Sequence, residues 1–347
     1  MRNRRGYSPS PPDLCLRCLF FSLTAAEKTG MMVAKISSVF TGSHLPSHAD
    51  QRKAGTIMHF TKMQGAGNDF IVINNMDESI PSELFPAIAR ALCKRRLSIG
   101  ADGLMIVGKP SGSGDFYMHF YNSDGTEGEM CGNGARCISR YGYEKGLAGE
   151  TIRVETKSGL VIGERKSQSL YTIRLNDPSV LILDTPVTVN GTDYECAYVE
   201  LGTPGLPHAV VHLPGLQPVE DDAIREIGRS IRFWHGFPKG ANVNFYDLQP
   251  DGIVNELTFE RGVEDFTLAC GTGSGSVTTV LAAKGLLPDG RAILRMPGGT
   301  LEVSVSVDGS KITSETENMA AAAKDIYLTG PAVIVAEGEV GEVLPML

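Results

Sequence analysis

Hydrophobic and polar positions alternate along most of the chain, the period-two mark of half-buried strands. His59–Met63 opens as a strand, and Phe70-Ile71-Val72-Ile73 is a second one beyond the Gly-rich turn Gln64-Gly65-Ala66-Gly67-Asn68-Asp69. Leu84, Ile88 and Leu92 recur at helical spacing and predict a helix over 81–97, with Lys94, Arg95 and Arg96 in its last turn, where the helix dipole favours cations. Strands over 104–107 and 116–121 flank a Ser111-Gly112-Ser113-Gly114 hairpin tip, and Asn122-Ser123-Asp124-Gly125 is a turn. A helix runs from Ala135 to Lys145, stopped by Gly146; strands follow at 152–155, 160–165 and 171–175, and Asn176-Asp177-Pro178 breaks the chain. The same grammar then recurs. Strands at 197–201 and 209–212 surround Gly202–His208, a helix covers 221–233, and strands follow at 242–246 and 256–260. A helix from Cys270 to Lys284 ends at Gly285, before strands at 292–296, 301–307 and near 326–328.

The recurrence is sharpest at two cysteines. Met130-Cys131-Gly132-Asn133-Gly134-Ala135-Arg136-Cys137 and Ala269-Cys270-Gly271-Thr272-Gly273-Ser274 each place Cys-Gly-x-Gly at a helix start. Lys145-Gly146-Leu147 and Lys284-Gly285-Leu286 lie at the same offsets, 14 to 16 residues after their cysteines. Asn122 and Glu260 end the strands upstream, nine and ten residues before. This is a duplicated domain, and a pseudo-twofold pair puts two equivalent elements on opposite walls of one cleft. The expected organisation is an N-terminal extension over 1–57, a first domain over 58–178, a second over 179–330, and a tail over 331–347 returning to the first.

Composition narrows the field. The 347 residues are 42% hydrophobic and 21% charged, enough for two packed domains, and the net charge of −8 disfavours a nucleic-acid partner. Residues 1–57 carry eight Lys+Arg and three Asp+Glu, a balance of +5, so this segment is compositionally distinct and expected to be disordered. It makes a poor signal peptide because Arg17 interrupts its apolar run, and Cys15-x-x-Cys18 has no second ligand pair nearby. Seven scattered cysteines read as reduced thiols in a cytoplasmic protein, and no apolar window is long enough to span a membrane.

A thiol at a helix N-terminus is expected to have a lowered pKa, and the same N–H groups can hold a carboxylate. Glycines after the cysteine let an anion approach the backbone. Two such thiols on opposite sides of one carbon could invert its configuration, one removing the Cα proton and the other returning a proton to the opposite face. Cys93, Cys137 and Cys196 read as core residues instead.

Gly65-Ala66-Gly67-Asn68-Asp69-Phe70, Asn122-Ser123-Asp124-Gly125, the two cysteine blocks, Pro207-His208 and Glu260-Arg261-Gly262 together resemble the ordered motifs of the diaminopimelate epimerase family. Asn133, where His would suggest a proline racemase, favours the epimerase. The resemblance implies an α+β fold of two pseudo-symmetric domains, each a mixed barrel-like sheet wrapped round a central helix, with the active site in the cleft between them. It implies interconversion of LL- and meso-2,6-diaminopimelate in lysine and peptidoglycan-precursor biosynthesis, with no cofactor and no metal. By the same likeness Cys131 and Cys270 are the acid/base thiols, and His208 and Glu260 lie close enough to modulate them. Gly132, Asn133, Gly271 and Thr272 hold the reacting carboxylate. Asn68, Asn122, Asn242, Glu260 and Arg261 bind substrate, with Arg261 suited to the distal carboxylate. The expected partner is a small amino acid, with no nucleic acid and no membrane; a homodimer is left open.

Gly202–His208 is longer than the family's usual turn and lacks its Asn, Gly103 stands where some members have Gln, and 314–324 is an insertion. Other readings are another amino-acid racemase, a thiol hydrolase pairing one cysteine with His208, and a metal site from Cys131, Cys137, Cys270 and His208.

Overall fold

The computed structural model describes residues 58–128 and 131–341, all within one unit, Gly55–Leu347. The expectations for residues 1–57 lie outside the described residues. The first half contains β1 (Met58–Gly65), β2 (Asn68–Asn74), α1 (Phe85–Leu92), β3 (Gly103–Gly108), β4 (Phe116–Asn122), α2 (Gly132–Glu144), β5 (Thr151–Thr156), β6 (Gly159–Arg165) and β7 (Leu170–Arg174). After β8 (Pro178–Ile182) and a small hairpin of β9 (Val187–Val189) and β10 (Thr192–Tyr194), the order repeats. It runs β11 (Cys196–Leu201), β12 (Leu206–His212), α3 (Asp222–Arg232), β13 (Asn242–Leu248), β14 (Ile253–Glu260), β15 (Asp265–Thr267), α4 (Gly271–Ala283), β16 (Arg291–Met296), β17 (Gly299–Val307), β18 (Ala323–Pro331) and β19 (Val333–Val340).

Strand pairing repeats in the same senses. β1–β2, β3–β4, β5–β6 and β6–β7 are antiparallel, while β2–β3 and β4–β5 are parallel. In the second half β11–β12, β13–β14, β16–β17 and β17–β18 are antiparallel, while β12–β13 and β14–β16 are parallel. Two strands cross over: β8 leaves the first half to pair with β11, and β19 leaves the second to pair with β1. Antiparallel β7–β18 pairing joins the halves into one 17-stranded sheet. The fold is thus α+β, with each half a sheet curled round its central helix.

The strand patterns explain this. Phe70, Val72, Met105 and Val107 face α2, while Ile71, Ile73, Leu104 and Ile106 face α1, so β2 and β3 are buried on both sides and read as unbroken apolar runs. In the second half α3 takes the outer place, packed over Val211, Val243, Phe245 and Leu257. Asp221 caps α3 by accepting N–H groups from Ala223 and Ile224. The central α4 is buried all round despite its Ser and Thr residues. The hydroxyls of Ser276, Thr278 and Thr279 donate to the carbonyls of Thr272, Ser274 and Gly275, so no donor is stranded.

Two expectations change. The helix predicted over 81–97 is shorter: a 3-10 turn, Ser82–Leu84, leads into α1, which ends at Leu92. Arg95 is drawn to the carboxylates of Asp69 and Asp102, and Arg96 turns left-handed at φ 70°, so the basic residues lie beyond the helix. The insertion near 314–324 covers the outer edge of β8. Asn318 accepts the Leu181 N–H and donates to the Ser179 carbonyl, Met319 N–H donates to the Leu181 carbonyl, and the Glu315 carbonyl accepts from Leu183 and Asp184. An otherwise open edge is thereby paired.

Leu328, wholly buried on β18, stands where the starts of α2 and α4 meet. A Cβ placed on Gly132 or Gly271 would lie 3.2 or 2.8 Å from its Cδ2. Leu328→Ala is expected to cost about 2–5 kcal/mol of stability, read by urea unfolding, because the cavity opens between two helices that cannot both relax into it. A cost below about 1 kcal/mol would contradict this packing.

Candidate active site

Cys131 and Cys270 are the N-caps of α2 and α4, each in extended backbone. That conformation leaves the first helical N–H groups pointing outward near the thiol. Cys131 Sγ accepts the Gly134 N–H at 3.3 Å, and Cys270 Sγ lies 3.6 Å from Thr272 Oγ1. The helix starts approach at their glycines: a Cβ on Gly132 would lie 3.8 Å from Gly271 Cα. Asn133 bridges them, its amide donating to the Ala269 carbonyl at 3.4 Å and to Asn68 Oδ1.

Arg136 fixes Asn133 in turn, donating to its Oδ1 at 2.8 Å and to the carbonyls of Gly132 and Pro331, each at 3.3 Å. Arg136 is fully buried and pairs with no carboxylate among the described residues. Burial lowers its pKa to about 10, so it is still a cation at neutral pH.

The remaining site residues of the sequence reading stand at matching strand ends. Asn68 begins β2 and donates to Asp102 Oδ2 at 3.3 Å. Asn122 ends β4 and donates to Thr126 Oγ1 at 3.0 Å. Asn242 begins β13, its amide donating to the Pro207 carbonyl at 3.3 Å and its Oδ1 accepting the Arg261 N–H at 2.8 Å. Glu260 ends β14 at the place Asn122 holds on β4. The Arg261 guanidinium donates to the Lys239 carbonyl at 3.2 Å and pairs with no carboxylate among the described residues. At Gly103, the Phe120 ring fills the space a side chain would need.

His208 is fully buried on β12, with Nδ1 2.9 Å from Asn244 Oδ1. Asn244 donates through Nδ2 to Thr258 Oγ1 at 2.8 Å and to Glu256 Oε1 at 3.4 Å. That network assigns Oδ1 as the acceptor, so His208 carries its proton on Nδ1 and keeps Nε2 as a lone pair without a hydrogen-bond partner among the described residues. Burial lowers the His208 pKa to about 4.

The thiols depart from expectation. Both are held above the ordinary thiol range, foremost by loss of water around the thiolate, with the charge of Glu260 adding to the effect. The helix N–H groups act in the opposite direction and are outweighed. Desolvation is the leading cause at both cysteines. Arg136 lowers the Cys131 pKa, while Glu256 raises that of Cys270. His208 is neutral, so it acts on neither thiol through charge; Glu260 acts on both. Cys93, Cys137 and Cys196 are buried, with thiols pushed up to about 12 by burial.

Neither thiol hydrogen-bonds His208, so no cysteine–histidine pair of a hydrolase is formed. Among the described residues no group of three or more His, Cys, Asp or Glu converges as metal ligands, and the four-residue metal alternative is not assembled. Sequence reasoning overlooked Arg136, Asn244, Glu256 and Ser274. The signal was present for one of them, since Glu256, Thr258 and Glu260 alternate along one strand face.

Each of the two pseudo-symmetric halves opens its central helix with a cysteine followed by Gly-x-Gly. Solved structures share the fold. A hydroxyproline epimerase from Agrobacterium vitis matches at a TM-score of 0.57 and 17% identity, covering 84% of this chain and 94% of that one. A phenazine biosynthesis protein of the PhzF family from Enterococcus faecalis matches at 0.54 and 14%, covering 82% and 99%. At these identities they speak to the fold alone. Sequence speaks to the family. The diaminopimelate epimerase family model matches residues 60–177 and 202–322. Diaminopimelate epimerases of Aquifex aeolicus and Archaeoglobus fulgidus are 35% and 36% identical to this chain, covering 82% and 73% of it and 98% and 91% of their own lengths. The chain belongs to the diaminopimelate epimerase family.

The buried His208 makes stability depend on pH. Its folded-state pKa near 4 lies below the ordinary 6.5, so the unfolded chain binds more protons between those values. Stability is lost as pH falls through that window, by about 3 kcal/mol from this group. Urea unfolding at about pH 7 and about pH 4 should show wild type losing that much more than His208→Gln; equal losses would refute a neutral buried imidazole.

Proposed function

We propose that this protein epimerises LL-2,6-diaminopimelate to meso-2,6-diaminopimelate with Cys131 and Cys270 as its two acid/base groups, a step toward lysine and peptidoglycan precursors. The observation that carries this reading is the meeting of two cysteine-capped helix starts across Gly132 and Gly271. In this reading the reacting carbon lies between the two helix starts, with one sulfur on each side.

The chemistry balances with no added redox agent. A thiolate on one side takes the Cα proton and becomes a thiol. The C–H electron pair is left on Cα and delocalises into the adjoining carboxylate. The thiol on the other side then gives its proton to the opposite face and becomes a thiolate. The configuration inverts, and the two sulfurs exchange protonation states. Enclosure keeps a thiolate poorly solvated and strongly basic, as removal of a weakly acidic Cα proton requires.

The reacting carboxylate fits the N–H groups at Gly132, Asn133, Gly271 and Thr272, where two helix dipoles converge on the charge that grows in the transition state. Arg136 supports this by holding Asn133 and adding a buried positive charge. Asn68, Asn122, Asn242 and Glu260 surround the remainder of the substrate, with Glu260 suited to an ammonium group. Arg261 suits the distal carboxylate because its guanidinium has no carboxylate partner among the described residues. The working partner is this small amino acid, and the scattered reduced thiols fit a cytoplasmic setting. No helix among the described residues is long and apolar enough to cross a membrane.

Cys131→Ser and Cys270→Ser, made separately, are each expected to lower epimerisation on the order of 10³-fold, followed by Cα–H exchange of LL-diaminopimelate in D₂O. Full turnover by either variant would refute the two-thiol reading. Preference for lysine or proline over diaminopimelate would refute the substrate.

A further inference from the structure

Overlaying the halves by strand register exposes a break in their symmetry. Phe70 pairs with Gly103 as His208 pairs with Asn242, and Met105 pairs with Phe120 as Asn244 pairs with Thr258. Val107 opposite Met118 corresponds to Tyr246 opposite Glu256, and Ala135 on α2 corresponds to Ser274 on α4. Beneath Cys131 these places hold Phe70, Met105, Met118 and Ala135, an ordinary apolar core. Beneath Cys270 the same places hold His208, Asn244, Glu256 and Ser274, all buried.

The four polar residues form one connected chain. Ser274 Oγ lies 2.7 Å from Glu256 Oε2 and 3.1 Å from the Cys270 carbonyl. Glu256 Oε1 accepts from Asn244, whose Oδ1 accepts from His208. A Cβ on Gly273 would overlap the Asn244 amide, so that glycine makes room for it. Burying a carboxyl with no cation costs several kcal/mol unless it is well bonded. An apolar solution exists in the other half of the same chain, so packing alone does not require the network.

We propose that Glu256 is a positioning residue for epimerisation: through Ser274 it anchors the start of α4 and sets the acidity of Cys270, and through Asn244 it fixes the tautomer of His208. This rests on the two-thiol reading above. The titratable groups facing the network are His208 on β12, Tyr246 on β13, Glu260 further along β14 and Cys270 at α4; Arg261 is the adjacent cation. Burial moves the Glu256 pKa up to about 7, so the carboxylate is charged throughout the alkaline range in which a thiol titrates. Its charge opposes that of a Cys270 thiolate.

The test is residue-resolved alkylation by iodoacetamide against pH, read by peptide mass spectrometry on wild type and Glu256→Gln. Removing the carboxylate charge should shift the Cys270 profile to lower pH by about one unit, a roughly tenfold faster reaction below its midpoint, and leave Cys131 unchanged. Epimerisation should lose about tenfold in kcat with KM altered less than about threefold. An unshifted Cys270 profile, or equal shifts at both cysteines, overturns the proposal. Should Glu256→Gln not fold, Ser274→Ala keeps the carboxylate but cuts its tie to α4: a lower kcat at constant KM supports the role, and unchanged kcat overturns it. The alkylation profile needs no substrate, so a wild-type protein inactive on diaminopimelate would sink the functional reading while still testing Glu256.

Discussion

Everything at the site depends on the close approach of two helix N-termini. Like ends of helix dipoles repel, and their outward N–H groups have no partners within the helix. The fold holds them together with Leu328 against both glycines, Asn133 spanning the gap, and Arg136 braced on Asn133. A concentration of unpaired donors is poor for stability and well suited to an anion. In the proposed reaction that cost is offset by a carboxylate that gains charge in the transition state.

The crossed strands supply the rigidity. Each half gives its last strand to the other's first, so β8 and β19 act as reciprocal straps, and β7–β18 pairing runs directly behind the helix starts. Ile173 and Leu328, opposite one another in that pair, both lie close to Gly132. Separating the halves would therefore break a continuous hydrogen-bonded sheet.

The two halves repeat one architecture, but their cysteine sites are unequal. Cys131 has a buried cation nearby in Arg136, over an apolar floor. Cys270 has the Glu256 carboxylate, over a polar one, while Glu260 acts on both. Inversion needs one group charged and one protonated at any instant, a requirement that identical environments would not favour. The electrostatic difference is thus the feature to expect wherever a twofold scaffold performs a reaction with two different ends.

Local chemistry was enough to expose the repeat, most strands, both central helices and the two thiols, because strand alternation and Cys-Gly-x-Gly helix starts are encoded within a few residues. Asn68, Asn122, Asn242 and Glu260, singled out from the sequence by family resemblance, stand at strand ends, with Arg261 next to Glu260. Tertiary structure alone decided the rest. The crossing of β8 and β19 joins residues far apart in the chain, and the role of 314–324 becomes visible only against the edge of β8. α1 ends at Leu92, and Arg95 beyond it pairs with Asp69 and Asp102, residues distant in sequence or outside the helix. The thiol pKa direction was misjudged because a helix terminus is a local feature, whereas desolvation sums over every atom that surrounds the sulfur. Glu256 and Arg136 went unnoticed for the same reason: burial belongs to the folded neighbourhood, and no short stretch of sequence records it.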